Sequence, residues 1–288
     1  MNLQLGALTL DLRQPRVMGV LNLTPDSFSD GGRHNLPDAA CARARAMLAE
    51  GADVIDIGGE STRPGAEPVS VQQELDRVMP VVERLRAELD CLLSIDTMKP
   101  EVMRAACAAG VALVNDVNAL REPGAVRAVA ESGAAVCLMH MRGEPRSMQQ
   151  APAYADVVTE VATFLQERID CCLRSGIAQS SILIDPGFGF GKRLEHNLAL
   201  LHGLARIVAL GYPVLVGLSR KSMFGQLCAV TVSQRLPASL AAATAAVLAG
   251  ARMVRTHDVR ATRDAVTVAS AIRNGGVAME AQQEGGGI

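Results

Sequence analysis

Residues 36–58 read LPDAACARARAMLAEGADVIDIG, and the order of features in that stretch decides the fold. Spaced apolar residues after Asn35 predict a helix over Leu36–Glu50, and Gly51 supplies the left-handed stop that follows a helix end. Val54–Ile57 is then a short β-branched run of the kind found in parallel strands buried on both faces. Asp56 lies at the end of that run, where a polar side chain contributes nothing to a core.

The same unit recurs on both sides of this stretch. Further strands are predicted at Val17–Leu23, Leu92–Ile95, Ala112–Val114, Ala134–Met139, Ser181–Ile184, Pro213–Leu218 and Met253–Val254. Helices are predicted between them at Val71–Leu89, Pro100–Ala109, Gly124–Glu131, Tyr154–Ser175, Leu198–Leu210 and Ser233–Leu248. An open doubly wound sheet would alternate in this way too, but the count of eight strands favours closure into an α/β (β/α)8 TIM barrel. The 288 residues suit one such barrel, predicted as a single domain over 1–275. The Gly/Gln/Glu-rich tail 276–288 is predicted to be disordered.

Formal charge is −2, with no run of like charge, which argues against a nucleic-acid footprint. Five Phe, two Tyr and no Trp leave the core to Ala, Val, Leu, Ile and Met. Seven cysteines without a C-x-x-C spacing read as reduced thiols rather than a disulfide frame or zinc site. Residues 1–16 lack the features of a secretory signal, and Leu236–Ala251 is too short for a membrane span, so a cytoplasmic protein is expected.

Most strand runs end on polar residues: Asn22, Asp56, Asp96, Asn115-Asp116, His140, Asp185, Ser219-Arg220-Lys221 and Arg255-Thr256-His257. In a parallel barrel these gather at the C-terminal mouth, where such folds keep their chemistry. Asp96, Asn115, Asp185 and Lys221 suit a heterocycle with several N–H donors and an acceptor, such as a 2-amino-4-oxopterin. Any one of them is as readily a polar residue satisfied by the backbone, and Asp116 and Asp258 read as caps. Asn22, Thr62, Arg63, Arg255 and His257 suit a diphosphate with Mg²⁺, Asn22 being the protein oxygen on the metal. His34, His196 and His202 read as surface or loop residues.

Asp185–Lys192 (DPGFGFGK) fails as a P-loop; its glycines are expected to turn the backbone beneath a flat ligand, with Phe188 or Phe190 as an apolar wall. Ser222 is placed to open a short helix whose amides hold an anion. Two long connections, 24–35 and 58–70, are expected to act as lids.

Eight segments carry a specific likeness. They are Gly19–Gly32, Asp56–Gly65, Ser94–Thr97, Asn115-Asp116, Leu138–Met141, Asp185–Lys192, Gly217–Ser222 and Arg255–Asp258. In order over roughly 15–275, they resemble the dihydropteroate synthase family of bacterial folate synthesis. The resemblance implies a pterin-binding barrel, usually homodimeric, that joins (7,8-dihydropterin-6-yl)methyl diphosphate to 4-aminobenzoate with Mg²⁺. It implies that Asp96, Asn115, Asp185 and Lys221 bind the pterin, and that Arg255 lies over its face. Asn22, Thr62, Arg63, Arg255 and His257 fall on the diphosphate side, and Phe28, Pro64, Phe190 and Ser222 line the aminobenzoate site. Asp96, Lys221 and Arg255 are the expected catalytic residues. Asn118 departs from the usual family residue, which leaves the pterin contacts around that position open. The rivals are a pterin methyltransferase serving a corrinoid protein, which would not need the Thr62-Arg63-Pro64 loop, and a non-catalytic pterin-binding paralogue.

Overall fold

The computed structural model describes residues 1–23, 36–62 and 65–275. The first long loop, the tail 276–288 and the site candidates Phe28, Arg63 and Pro64 lie outside the described residues. The chain opens with an element that the strand reading passed over. β1 (Asn2–Leu5) and β2 (Leu8–Asp11) form an antiparallel hairpin around Gly6-Ala7.

The barrel strands follow as β3 (Arg16–Asn22), β4 (Val54–Gly58), β5 (Leu92–Asp96), β6 (Leu113–Asp116) and β7 (Ala135–Met139). β8 (Ile182–Asp185), β9 (Leu215–Gly217) and β10 (Met253–Thr256) complete them. Among the described residues, they form one parallel sheet in the order β8-β7-β6-β5-β4-β3-β10-β9. A parallel bridge between Ile184 and Val214 joins its two edges, so the ring is closed. The strand reading holds to within about two residues in each case.

Outside the ring run α1 (Leu36–Ala49), α2 (Val71–Glu88), α3 (Pro100–Ala108), α4 (Ala125–Ser132) and α5 (Val157–Arg174). α6 (Leu194–His202), α7 (Leu204–Val208), α8 (Ser222–Cys228), α9 (Leu236–Leu248) and α10 (Val259–Arg273) follow. Two predicted helices need correction. The one placed at 198–210 starts at Leu194 and breaks at Gly203, where a Cβ would lie 2.7 Å from Val158 Cγ2 on α5. The one placed at Ser233 starts at Leu236, with Pro237 in its first turn and a 3-10 turn before it.

Side-chain alternation explains the layers. Ile55 and Ile57 of β4 belong to the apolar core between sheet and helices, while Asp56 points into the barrel. Leu3, Leu5, Leu10 and Leu12 of the hairpin segment close the floor, packing on Met18, Val54, Leu113, Ala135, Leu183, Leu215 and Met253 at the strand starts. A floor of this kind stabilises the barrel and leaves the opposite mouth to the chemistry. Leu12 is fully buried. Leu12→Ala is therefore expected to cost about 2–5 kcal/mol, read as a lower urea midpoint with little change in turnover. An unchanged midpoint would show that the floor is not packed by the hairpin.

Candidate active site

At the mouth, an ionic network spans the barrel. Asp56 Oδ2 accepts from Asn115 Nδ2 at 3.1 Å and from Arg255 Nε at 2.6 Å. Arg255 Nη2 donates to Asp96 Oδ2 at 2.7 Å. The guanidinium is thus fixed between two buried carboxylates, which hold its proton more firmly than usual despite the burial. Asp56 was a strand-end residue without an assigned role. The structure makes it the support for both Asn115 and Arg255.

Asp96 and Asp185 are buried. Burial pushes the Asp96 carboxyl up to about 7 against the pull of Arg255. Asp185 rises to about 6, held back by the Gly187 amide, which bonds Oδ1 at 2.7 Å. The Oδ1 atoms of Asp96 and Asp56 are buried without a hydrogen-bond partner. Such orphan acceptors are costly unless a ligand or water supplies donors.

Lys221 lies with Nζ 4.3 Å from the Phe190 ring centre, and burial draws its amine down to about 8. Gly58 lies between two of the candidate side chains. At Gly58, paired across strands with Asn22 and Asp96, a Cβ would lie 3.6 Å from Asn22 Oδ1 and from Asp96 Cβ. Asn22 is half-buried at the end of β3, and Thr62 is half-buried on the second loop. His257 Nδ1 lies 3.0 Å from Ser219 Oγ, and its amide donates to the same oxygen at 3.2 Å. Ser222 is exposed at the first residue of α8.

Several sequence readings change here. Arg220, expected in the mouth, turns outward to Asp258, whose side chain accepts from it and caps no helix. Asp116 holds a local turn through the amides of Asn118 and Leu120, both at 2.7 Å. Phe188 is buried in the core, leaving Phe190 as the wall. His196 is buried and packs edge-on against Tyr154.

Two of the DPGFGFGK glycines pack against neighbouring backbone, and Gly189 faces the Lys221 side chain. A Cβ on Gly187 would lie 1.9 Å from His140 O, and one on Gly191 2.2 Å from Arg142 O. Both have positive φ, which glycine adopts without strain. Buried Lys192 ties this turn together, bonding Gly187 O at 2.8 Å, Phe190 O at 3.1 Å and His140 Nδ1 at 2.9 Å. Burial, and then the lysine beside it, drive the His140 imidazole down to about 2.

Among the described residues, no group of three or more His, Cys, Asp or Glu could hold a metal ion by itself. No helix there is long and apolar enough to cross a membrane. All seven cysteines are free.

The profile of the family described as "Pterin binding enzyme" matches residues 18–257. The Dihydropteroate synthase of Escherichia coli (strain K12) is 52% identical over 263 residues, covering 91% of this chain and 93% of the relative. A crystal structure of the Yersinia pestis Dihydropteroate Synthase with a sulfonamide drug complex superposes with a TM-score of 0.90 at 51% identity, covering 95% of this chain and 100% of the other. Dihydropteroate synthase from Xanthomonas albilineans in complex with 7,8-dihydropteroate gives a TM-score of 0.85 at 49% identity, covering 95% and 99%. The chain belongs to the dihydropteroate synthase family of pterin binding enzymes.

Proposed function

We propose that this chain joins (7,8-dihydropterin-6-yl)methyl diphosphate to 4-aminobenzoate, giving 7,8-dihydropteroate and diphosphate. The observation that carries this reading is the convergence of Asp96, Asn115, Asp185 and Lys221 from separate strand ends, with Asp96 Oδ1 buried and unpaired. Adjacent ring N–H groups are the donors such a carboxylate accepts with geometric selectivity.

In the reaction, the methylene–oxygen bond breaks and diphosphate leaves with the electron pair. The arylamine nitrogen then bonds to the methylene and releases a proton. The positive charge spread over the ring and methylene is stabilised by ionised Asp96, held in place by Arg255. Preorganised charge of this kind is often the largest catalytic contribution. Thr62, Arg63, Arg255 and His257 receive the diphosphate, and Phe28, Pro64, Phe190 and Ser222 flank the arylamine. An arylamine is a nucleophile near neutral pH, so no strong general base is needed.

Mg²⁺ fits one oxygen, Asn22 Oδ1, with the remainder supplied by diphosphate and water, as this ion prefers. When bound, it supplies positive charge to the leaving group. A homodimer forms part of the same proposal. Exposed Leu248 on α9 and Val268 and Ile272 on α10 offer apolar surface to a second copy, and Arg273 Nη1 bonded to Val247 O brings the two helix ends together. A cytoplasmic location accords with the free thiols.

The test is inhibition. A sulfonamide imitates 4-aminobenzoate, so it should compete with that substrate and not with the pterin. Mg²⁺ chelation should stop turnover reversibly. A drug that competes with the pterin alone would place the arylamine elsewhere.

A further inference from the structure

A second buried charge cluster lies beside the mouth, outside the groups that face substrate. Lys99 stands just before α3, three residues past Asp96, with its side chain only 18% exposed. Its ammonium bonds Glu60 Oε2 and, at 2.6 Å, Glu74 Oε2 on α2. The other Glu60 oxygen accepts the Val69 amide at 3.2 Å, so one carboxylate links the two ends of the second long loop. The Lys99 amide donates to Thr97 Oγ1 at 3.1 Å, which fastens the lysine to the turn after Asp96. Arg77 on α2 completes the base by donating to Gly59 O at 2.8 Å, where a Cβ on Gly59 would lie 2.6 Å from Val78 Cγ1.

We propose that Lys99 is a positioning residue for the diphosphate side of the reaction, fixing through Glu60 the loop base two residues from Thr62 against the turn that follows Asp96. The inference rests on the reading of Thr62 as a diphosphate contact. Glu74 Oε1 is buried without a partner. As a mere fold tie, this arrangement is poor, since apolar residues of similar volume are often at least as stable as a buried ion cluster. As a register for a catalytic loop it is apt, because a charged, hydrogen-bonded tie has one geometry. A misplacement of about 1 Å at a reacting site can cost about a hundredfold in rate.

Lys99→Met in the full chain is expected to keep wild-type calorimetric affinity for 6-hydroxymethylpterin, which reaches only the strand-end residues. Its kcat/KM for the pterin diphosphate should fall about a hundredfold, and Lys99→Arg should recover most of the loss. Glu60→Gln keeps an acceptor for Val69 but breaks the ion pair, so it tests the tie with less risk to folding and should show the same split at smaller size. Wild-type kinetics in both variants would overturn the proposal. So would a loss of hydroxymethylpterin affinity parallel to the loss of turnover, which would reduce Lys99 to a fold residue. Absence of turnover in the wild type would strike the reading of the site itself. The tie is then judged on inorganic diphosphate, which Lys99→Met should bind more weakly than wild type, and equal affinity would overturn it.

Discussion

Asp96→Asn is expected to lower kcat by about 100- to 1,000-fold while weakening pterin affinity much less. The amide keeps the shape and one hydrogen-bond acceptor but removes the charge that opposes the pterin cation. Arg255 retains Asp56 at 2.6 Å, so the fold of the mouth should survive. The pH profile carries a second signature. With its carboxyl pushed up to about 7, Asp96 is ionised above that pH and protonated below it, so kcat/KM should fall as pH drops through about 7. In Asp96→Asn the acid limb should move down to that of Asp185, near 6. An affinity loss as large as the kcat loss, or an acid limb left in place, would make Asp96 a plain binding residue.

Lys221→Met should be the other severe variant, with kcat/KM down by about 100- to 1,000-fold. Methionine keeps the apolar stem against Phe190 and loses the ammonium 4.3 Å from that ring. Burial has drawn the amine down to about 8, so the cation is present below that pH and is lost as pH rises through it. Wild-type kcat/KM should therefore decline above about 8, and that alkaline limb should vanish in the methionine variant. Near-normal turnover by folded Lys221→Met would remove the residue from the site.

The barrel was legible because each strand is a short apolar run and most runs stop on or beside a polar residue, and both signals are local. Glycine at positive φ behind the helices marked their ends in the same way, as at Gly51 and Gly250. The hairpin was missed because two four-residue strands have little stability of their own. What orders Leu3 and Leu12 is the barrel floor, whose partners extend as far along the chain as Met253.

The close approach of Gly203 to Val158 likewise comes from another helix. Of the candidate site, the strand-end residues Asp96, Asn115, Asp185, Lys221 and Arg255 do share the mouth. The supporting partners were invisible for a physical reason. Arg255 meets Asp56 across 199 residues and Asp96 across 159, and no local pattern reports such pairings. Arg220 shows the converse, since it pairs with Asp258 outside the mouth that the sequence order suggested.

The central claim is the transfer of a pterinylmethyl group to an arylamine, and product stoichiometry tests it most directly. Purified protein with Mg²⁺, pterin diphosphate and labelled 4-aminobenzoate should form one labelled dihydropteroate for each diphosphate released. Diphosphate release without labelled product, or no reaction by folded protein that still binds the pterin, would contradict it.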